Sequence, residues 1–268
     1  MASSYKTSMI SIIMGIYNCA KTLPEAVNSI LSQTYDNWEL IMCDDGSSDG
    51  TYKVALEYKE KYPDKIVLLK NEKNMGLNYT LNRCLESVRG EYIARMDGDD
   101  LSLPMRFEQE VNFLDKNPDY AIVSTPMIYF DEKGEFRWGE GKGEPDPKRL
   151  AYGTIFCHAH CMVRKEAYEA VGGYTVANNR LRVEDWDLWI RMYEKGYKGF
   201  ILKEPLYKMR DDRNAYSRRK YRYRINEFLV GISAVKKLKL NPLYCLLSVR
   251  PLIVGLLPKK IYLWLHRA

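Results

Sequence analysis

The chain has 268 residues, 46% apolar and 28% charged, proportions ordinary for a globular protein with enough apolar surface to bury a core. They exclude a disordered or collagen-like chain, and the length fits one large domain or one domain with an appendage. The formal charge of +6 conceals a split. Residues 213–268 carry 13 Lys and Arg against the single acid Glu227, a net of +12, whereas residues 1–212 carry 28 basic and 34 acidic residues, a net of −6. An acidic body with a basic tail points to a polyanionic partner, either nucleic acid or an anionic membrane.

In chain order, the apolar stretch Met9–Ile16 is interrupted by Ser11 and Gly15 and has no cleavage pattern, so it is not expected to be a signal peptide, and nothing directs export. Met9–Met14 reads as a buried strand. Thr22 reads as the cap of a helix to about Gln33, with Pro24 and Glu25 in its first turn. Trp38–Cys43 is a second strand, ended by Asp44-Asp45-Gly46-Ser47-Ser48-Asp49-Gly50, and a helix follows to about Tyr62. Ile66–Leu69 is a third strand. Gly76 opens a helix with Leu77, Leu81 and Leu85 at spacing four. Tyr92–Met96 is a fourth strand, ended by Asp97-Gly98-Asp99-Asp100; Pro104 starts a helix to about Lys116, and Tyr120–Ser124 is a fifth strand.

Strands alternating with long helices predict an α/β, Rossmann-like fold, a mostly parallel sheet with helices on both faces. Ligands of such sheets bind beyond the carboxyl ends of the strands, which gathers Asp45, Asp97 and Asp99 around one crevice. The middle is less regular. Residues 131–147, with four glycines and two prolines, read as a mobile loop. Val163–Val171 reads as a helix stopped by Gly172-Gly173, Asp185–Lys195 as another, and Gly199–Leu202 as a strand. The six scattered cysteines read as free or buried thiols. In Cys157-His158-Ala159-His160-Cys161, an extended backbone would send the histidines to one face and the cysteines to the other, which splits a would-be zinc site.

The pair Asp97-x-Asp99 suits a hard divalent cation, Mg²⁺ or Mn²⁺, that shares its shell with phosphate oxygens. A carboxylate loop needs such a metal to hold a phosphate. Gly-x-Gly-x-x-Gly, Gly-x4-Gly-Lys-Ser/Thr and Gly-x-Ser-x-Gly are all absent, which disfavours dinucleotide oxidoreduction, P-loop hydrolysis and a nucleophile elbow.

The ordered set Ser11–Asn18, Ser29-Ile-Leu-Ser-Gln33-Thr34, Cys43–Thr51, Asn74-x-Gly76, Gly90–Asp100, Gly172-Gly173-Tyr174 and Glu184-Asp185-Trp-Asp-Leu-Trp189-x-Arg191 resembles family 2 glycosyltransferases over about residues 8–215. The resemblance implies a GT-A fold and an inverting, metal-dependent transfer from a nucleotide-sugar, UDP first and GDP or dTDP next. By position, Tyr17 would lie against the base, Asp45 would accept from the uracil N3–H, and Asp97 would contact the ribose. Asp99 would hold the metal, and Asp185 would be the general base. His158 stands where the family often has a histidine near the diphosphate or acceptor, although a buried structural histidine is the plainer reading. The family's Tyr-Arg-x-His is replaced by Tyr207-Lys-Met-Arg210, so Arg210 would pair with phosphate. Residues 1–212 form the catalytic domain on this reading, with a nucleotide-binding half at about 8–125 and an acceptor half at about 126–212. A nucleotidyltransferase and a non-catalytic nucleotide- or lipid-binding scaffold are the alternatives.

Residues 213–268 read as basic amphipathic helices. Ile225, Phe228, Leu229, Ile232 and Val235 share one helical face. Arg250-Pro251 and Gly255 interrupt Leu243–Leu257, which argues against a membrane span. Apolar faces edged by Lys and Arg over residues 217–268 suit an anionic lipid surface; the alternative is a helical hairpin packed on the catalytic domain. Nucleic acid is disfavoured because the tail is aliphatic and no base-reading module is present. The expected setting is the cytoplasm, peripheral at the inner face of the cell membrane, with a lipid-linked saccharide as acceptor.

Overall fold

A computed structural model describes residues 8–211 and 220–257. The first half runs β1 (Ile10–Ile16), α1 (Leu23–Leu31), β2 (Trp38–Asp44), α2 (Thr51–Lys61), β3 (Ile66–Lys70), α3 (Leu77–Leu85) and β4 (Tyr92–Arg95). There follow β5 (Leu101–Ser102), α4 (Arg106–Lys116), β6 (Ile122–Ser124), β7 (Met127–Asp131) and β8 (Gly134–Trp138). Then come β9 (Cys161–Arg164), α5 (Lys165–Val171), α6 (Glu184–Glu194), β10 (Gly199–Ile201) and β11 (Tyr207–Arg210). The tail folds as α7 (Tyr221–Lys237), α8 (Tyr244–Ser248) and α9 (Arg250–Leu256).

Seven strands form the central sheet in the order β10-β6-β9-β4-β1-β2-β3. β1 pairs in parallel with β2 and β4, and β2 with β3; β9 alone runs antiparallel, between β4 and β6. Alternation of side chains sends Ile13 and Ile41 into the apolar cluster with Leu81 and Trp189, and Ile12 and Leu40 into the opposite one with Leu23 and Phe107. Burial on both faces explains why these strands are continuous apolar runs. A second, four-stranded sheet has the order β5-β11-β7-β8.

The structure departs from the sequence reading in four places. Thr22 offers no side-chain cap: its hydroxyl donates to the carbonyls of Cys19 and Gly98, which ties the start of α1 to the loop after β4. Residues 131–147 are not a structureless loop: they include the hairpin partner β8, whose solvent-facing residues leave no apolar run to read. The segment read as one helix at Val163–Val171 starts inside β9; the Arg164 guanidinium donates to the carbonyls of Tyr120 and Leu114. In α7 the expected apolar face is rotated: Ile225 and Leu229 are exposed, whereas Val230, Gly231, Ala234 and Val235 are buried. A Cβ at Gly231 would stand 2.5 Å from the Ala151 carbonyl oxygen, so glycine lets the helix seat against the catalytic body. The tail therefore docks on the body, and α8 packs back through Ser248, whose hydroxyl donates to Ala151 O at 2.7 Å.

Candidate active site

The register Ile16↔Asp44 and Ile13↔Arg95 brings the carboxyl ends of β2, β1 and β4 side by side. Tyr17, Asp45 and Asp97 leave the sheet at that edge. Sheet order reverses here, with β2 on one side of β1 and β4 on the other, the usual place for a ligand crevice. Two adjoining cavities fill it, of about 350 and 730 Å³. Both are lined by Gly15, Tyr17, Leu77 and Arg182; Asp45 and Glu184 line the smaller, and Asp97, Asp99 and Arg210 the larger.

Asp45 is buried and held by three donors. Its Oδ1 accepts from Asn71 Nδ2 at 2.7 Å and Met75 N at 2.8 Å, and its Oδ2 accepts from Gly76 N at 2.9 Å. It thus closes the loop before α3, while Asp49 serves the start of α2 by accepting from Thr51 N. Gly46, at φ +72°, allows this approach: a Cβ there would stand 2.7 Å from the Lys73 carbonyl carbon. Tyr17 is half exposed, its ring free to meet a ligand.

Under the loop after β4 lies a buried cation. Arg95 ion-pairs with Asp97, and its other terminal nitrogen donates to His158 Nδ1 at 3.0 Å. Burial opposes the Arg95 charge most strongly, but the Asp97 carboxylate and the other acidic groups around it together keep the guanidinium protonated. Burial, then Arg95, holds His158 well below the usual histidine range. His158 is therefore neutral, with Nδ1 accepting, and its Nε2–H donates to the Tyr174 hydroxyl at 2.6 Å. Both ring nitrogens are taken by protein groups, the arrangement of a buried structural histidine, and the ring orients Arg95. The run 157–161 is also not extended, since His158–His160 forms a turn of 3-10 helix. Asp99 accepts no hydrogen bond from another side chain among the described residues. Burial first, and then Asp97, raise its carboxyl. Asp100 is a structural acid, accepting from the Tyr207 hydroxyl at 2.9 Å and Arg210 N at 2.7 Å.

Asp185 lies in the first turn of α6, where Oδ1 accepts from Trp186 N at 2.8 Å and Oδ2 meets the Thr154 hydroxyl at 3.5 Å. Burial, then the neighbouring Glu184 carboxylate, push it up to about 7. Its neighbour Glu184 lines the smaller cavity itself. Trp186 and Trp189 are buried core residues, and Trp186 Nε1 donates to Leu150 O. Arg210 lines the larger cavity but is already engaged: Nη2 reaches Glu25 Oε2 at 2.6 Å, Nε donates to Asp99 O, and the guanidinium lies over Phe130.

The profile of Glycosyl transferase family 2 matches residues 11–172. The chain belongs to this family. EpsE of Bacillus subtilis (strain 168) is 44% identical over 96% of this chain and 93% of its own length. The UDP-Glc:alpha-D-GlcNAc-diphosphoundecaprenol beta-1,3-glucosyltransferase WfaP of Escherichia coli is 28% identical over 71% of this chain and 72% of its own. In fold, the mannosyltransferase PcManGT of Pyrobaculum calidifontis, solved with GDP-Man and Mn²⁺, superposes with a TM-score of 0.65 at 18% identity, covering 98% of this chain and 80% of that one. The architecture is the GT-A fold, here followed by C-terminal helices.

For this family 2 glycosyltransferase, the chemistry of the donor set fits a divalent metal. Asp97 and Asp99 repel one another, and Asp99 lines the larger cavity with a carboxylate, the ligand type that Mn²⁺ and Mg²⁺ prefer. The sequence reading missed Arg95, Asn71 and Arg182. Arg95 did carry a signal, a charged residue closing the apolar run Tyr92-Ile-Ala. Arg182 carried none: it sits in a loop of mostly exposed residues beside another arginine, Arg180.

Proposed function

We propose that this chain is an inverting, metal-dependent transferase that moves a sugar from a UDP-sugar to a hydroxyl of a lipid-linked saccharide in cell-surface polysaccharide biosynthesis. The observation that carries this reading is the nearness of two acidic groups of opposite character, one lining the larger cavity and the other next in sequence to Glu184, which lines the smaller. Asp97 and Asp99 stand at the end of β4, and Asp185 has its proton affinity raised to about 7 at the start of α6. A group that ionises near neutrality is suited to proton abstraction. Asp185 takes the proton of the acceptor hydroxyl, the freed oxygen bonds to the sugar's anomeric carbon, and the bond to the diphosphate breaks with its electrons leaving on UDP. One base on the face opposite the leaving group gives inversion. Tyr17 stacks on the base, Asp45 accepts from the uracil N3–H, and Asp97 contacts the ribose. Asp99, with Asp97 beside it, would hold Mn²⁺ or Mg²⁺, which when bound offsets charge on the departing diphosphate. The names of WfaP and PcManGT support a UDP-activated sugar, a polyprenyl-diphosphate-linked acceptor and manganese.

The reading extends to the tail. Among the described residues no helix is long and apolar enough to cross a membrane. Yet Leu243, Leu246, Leu247, Ile253 and Leu256 are exposed on α8, α9 and the turn before them, with Lys236, Lys239 and Arg250 exposed nearby. Apolar side chains ringed by cations suit the inner face of an anionic membrane, where the acceptor lipid resides. Residues 217–219 and 258–268 of the segment assigned to that surface lie outside the described residues.

A donor panel of UDP-, GDP- and dTDP-sugars with Mn²⁺, assayed by donor hydrolysis and transfer, tests the activity. Pyrophosphate release from a nucleoside triphosphate would instead establish a nucleotidyltransferase. For the tail, Leu246→Glu/Leu256→Glu should abolish co-sedimentation with anionic liposomes; unchanged binding would remove the membrane from the reading.

A further inference from the structure

We infer that Arg182 is the cation that receives the donor's diphosphate, and that the tail helix α7 holds it there through Asn226. This rests on the nucleotide-sugar reading above. Among the described residues Arg182 is the one cationic side chain shared by the walls of both cavities, whereas Arg210 and Lys21 line only the larger. A nucleotide with its base at Tyr17 and Asp45 and its phosphates at Asp97 and Asp99 spans both cavities, so it passes Arg182. The three arginines of this region differ in what they already bind. Arg95 is committed to Asp97 and His158, and Arg210 to Glu25 and the Asp99 carbonyl. Arg182 forms no ion pair with a described residue, and its exposed guanidinium keeps its donors for a ligand.

The backbone around Arg182 is fixed although its side chain is exposed. On one side, Arg180 Nε pairs with Asp187 Oδ1 at 2.7 Å, and on the other Val183 is buried. Arg182 itself has φ +66°, a left-handed conformation that side-chain-bearing residues rarely adopt. The loop is kept in that shape from α7. Asn226, buried, donates through Nδ2 to Leu181 O at 3.0 Å, and one helical turn earlier Tyr223 lines the smaller cavity. The helix that the sequence assigns to the membrane is thus also a wall of the crevice.

The test is calorimetric titration of UDP, with and without Mn²⁺, beside uridine binding by saturation-transfer NMR, in the full chain. Arg182→Ala should weaken UDP roughly tenfold in both buffers, the loss expected for a charged hydrogen bond, and leave uridine and the melting temperature unchanged. Asn226→Ala should weaken UDP about threefold, raising KM for the donor more than it lowers kcat. Wild-type UDP affinity in Arg182→Ala would overturn the assignment, as would an equal loss of uridine. So would a tenfold loss confined to Lys21→Ala or Arg210→Ala. If the wild-type protein bound neither UDP, GDP nor dTDP, the nucleotide-sugar reading itself would fall. A wild type that binds UDP beside an unaffected Arg182→Ala removes this inference alone.

Discussion

The ends of β2 and β4 and the first turn of α6 all bring carboxylates to one crevice, yet they hold them in opposite ways. Asp45 accepts three hydrogen bonds and Asp97 is clamped by a buried arginine. Asp185 has one backbone donor, a distant hydroxyl and a second carboxylate beside it. Donors aimed at a carboxylate favour its charged form, whereas burial without them favours the neutral form. Asp45 and Asp97 at the strand ends are therefore fixed in place by the donors around them. The helix start is built to exchange a proton.

Removing the proposed proton acceptor should have the largest effect. Asp185→Asn should lower kcat about 10³-fold with donor KM nearly unchanged, since it deletes proton transfer and leaves the strand ends intact. Steady-state kinetics at saturating acceptor would show it. Activity near the wild-type level would erase the contrast between the two regions. Asp99→Ala should cost roughly 10²-fold in kcat/KM and remove the Mn²⁺-dependent part of UDP binding measured by calorimetry.

Titration separates the regions without mutation. In the proposed role of base, Asp185 acts only when deprotonated, so kcat should rise about tenfold per pH unit up to about 7 and level off above it. Stability should run the other way. The folded group, raised to about 7, keeps its proton more tightly than the unfolded one at 3.8, so its ionisation costs stability progressively from about pH 4 to 7 and fully above. Asp185→Asn should accordingly melt a few degrees higher than wild type at pH 8, with the gap closing toward pH 4. A gap that persisted at pH 4 would mean that packing, and not ionisation, separates the two proteins.

The two regions also differed in how far they could be read from sequence. The loops after β2 and β4 were legible because an apolar run that stops at clustered aspartates marks a strand end, and parallel strands put such ends together. Asp185 was placed by its motif, but its raised proton affinity was not legible, since it depends on burial by residues distant in the chain. His158 was readable as a buried structural histidine, but its partners were not: only packing shows both nitrogens occupied. β9 escaped because its three apolar residues run without a break into the helix after Arg164, and the pattern has no mark at the junction. The buried face of α7 escaped because Gly231 and Ala234 count little in a hydrophobic pattern and much in close packing.

The smallest effect is expected at Asp45, and it bears on whether the strand-end carboxylates select as well as support. Two protein donors fill Oδ1, and Gly76 N takes one direction at Oδ2, which leaves one lone pair for a ligand. A uracil N3–H can use it. Cytosine presents an acceptor at that position and meets repulsion. Asp45→Asn turns one side of the group into a donor, and at least one of the three present donors then faces an N–H. UDP should weaken roughly threefold to tenfold, the discrimination against CDP should narrow by a similar factor, and the melting temperature should fall by a few degrees as the 74–76 loop loosens. Competitive titration with UDP and CDP separates the two contributions. Equal weakening of both nucleotides would reduce Asp45 to a support for the loop before α3, and the half-exposed face of Tyr17, which stacks on either base alike, would supply affinity without base selection.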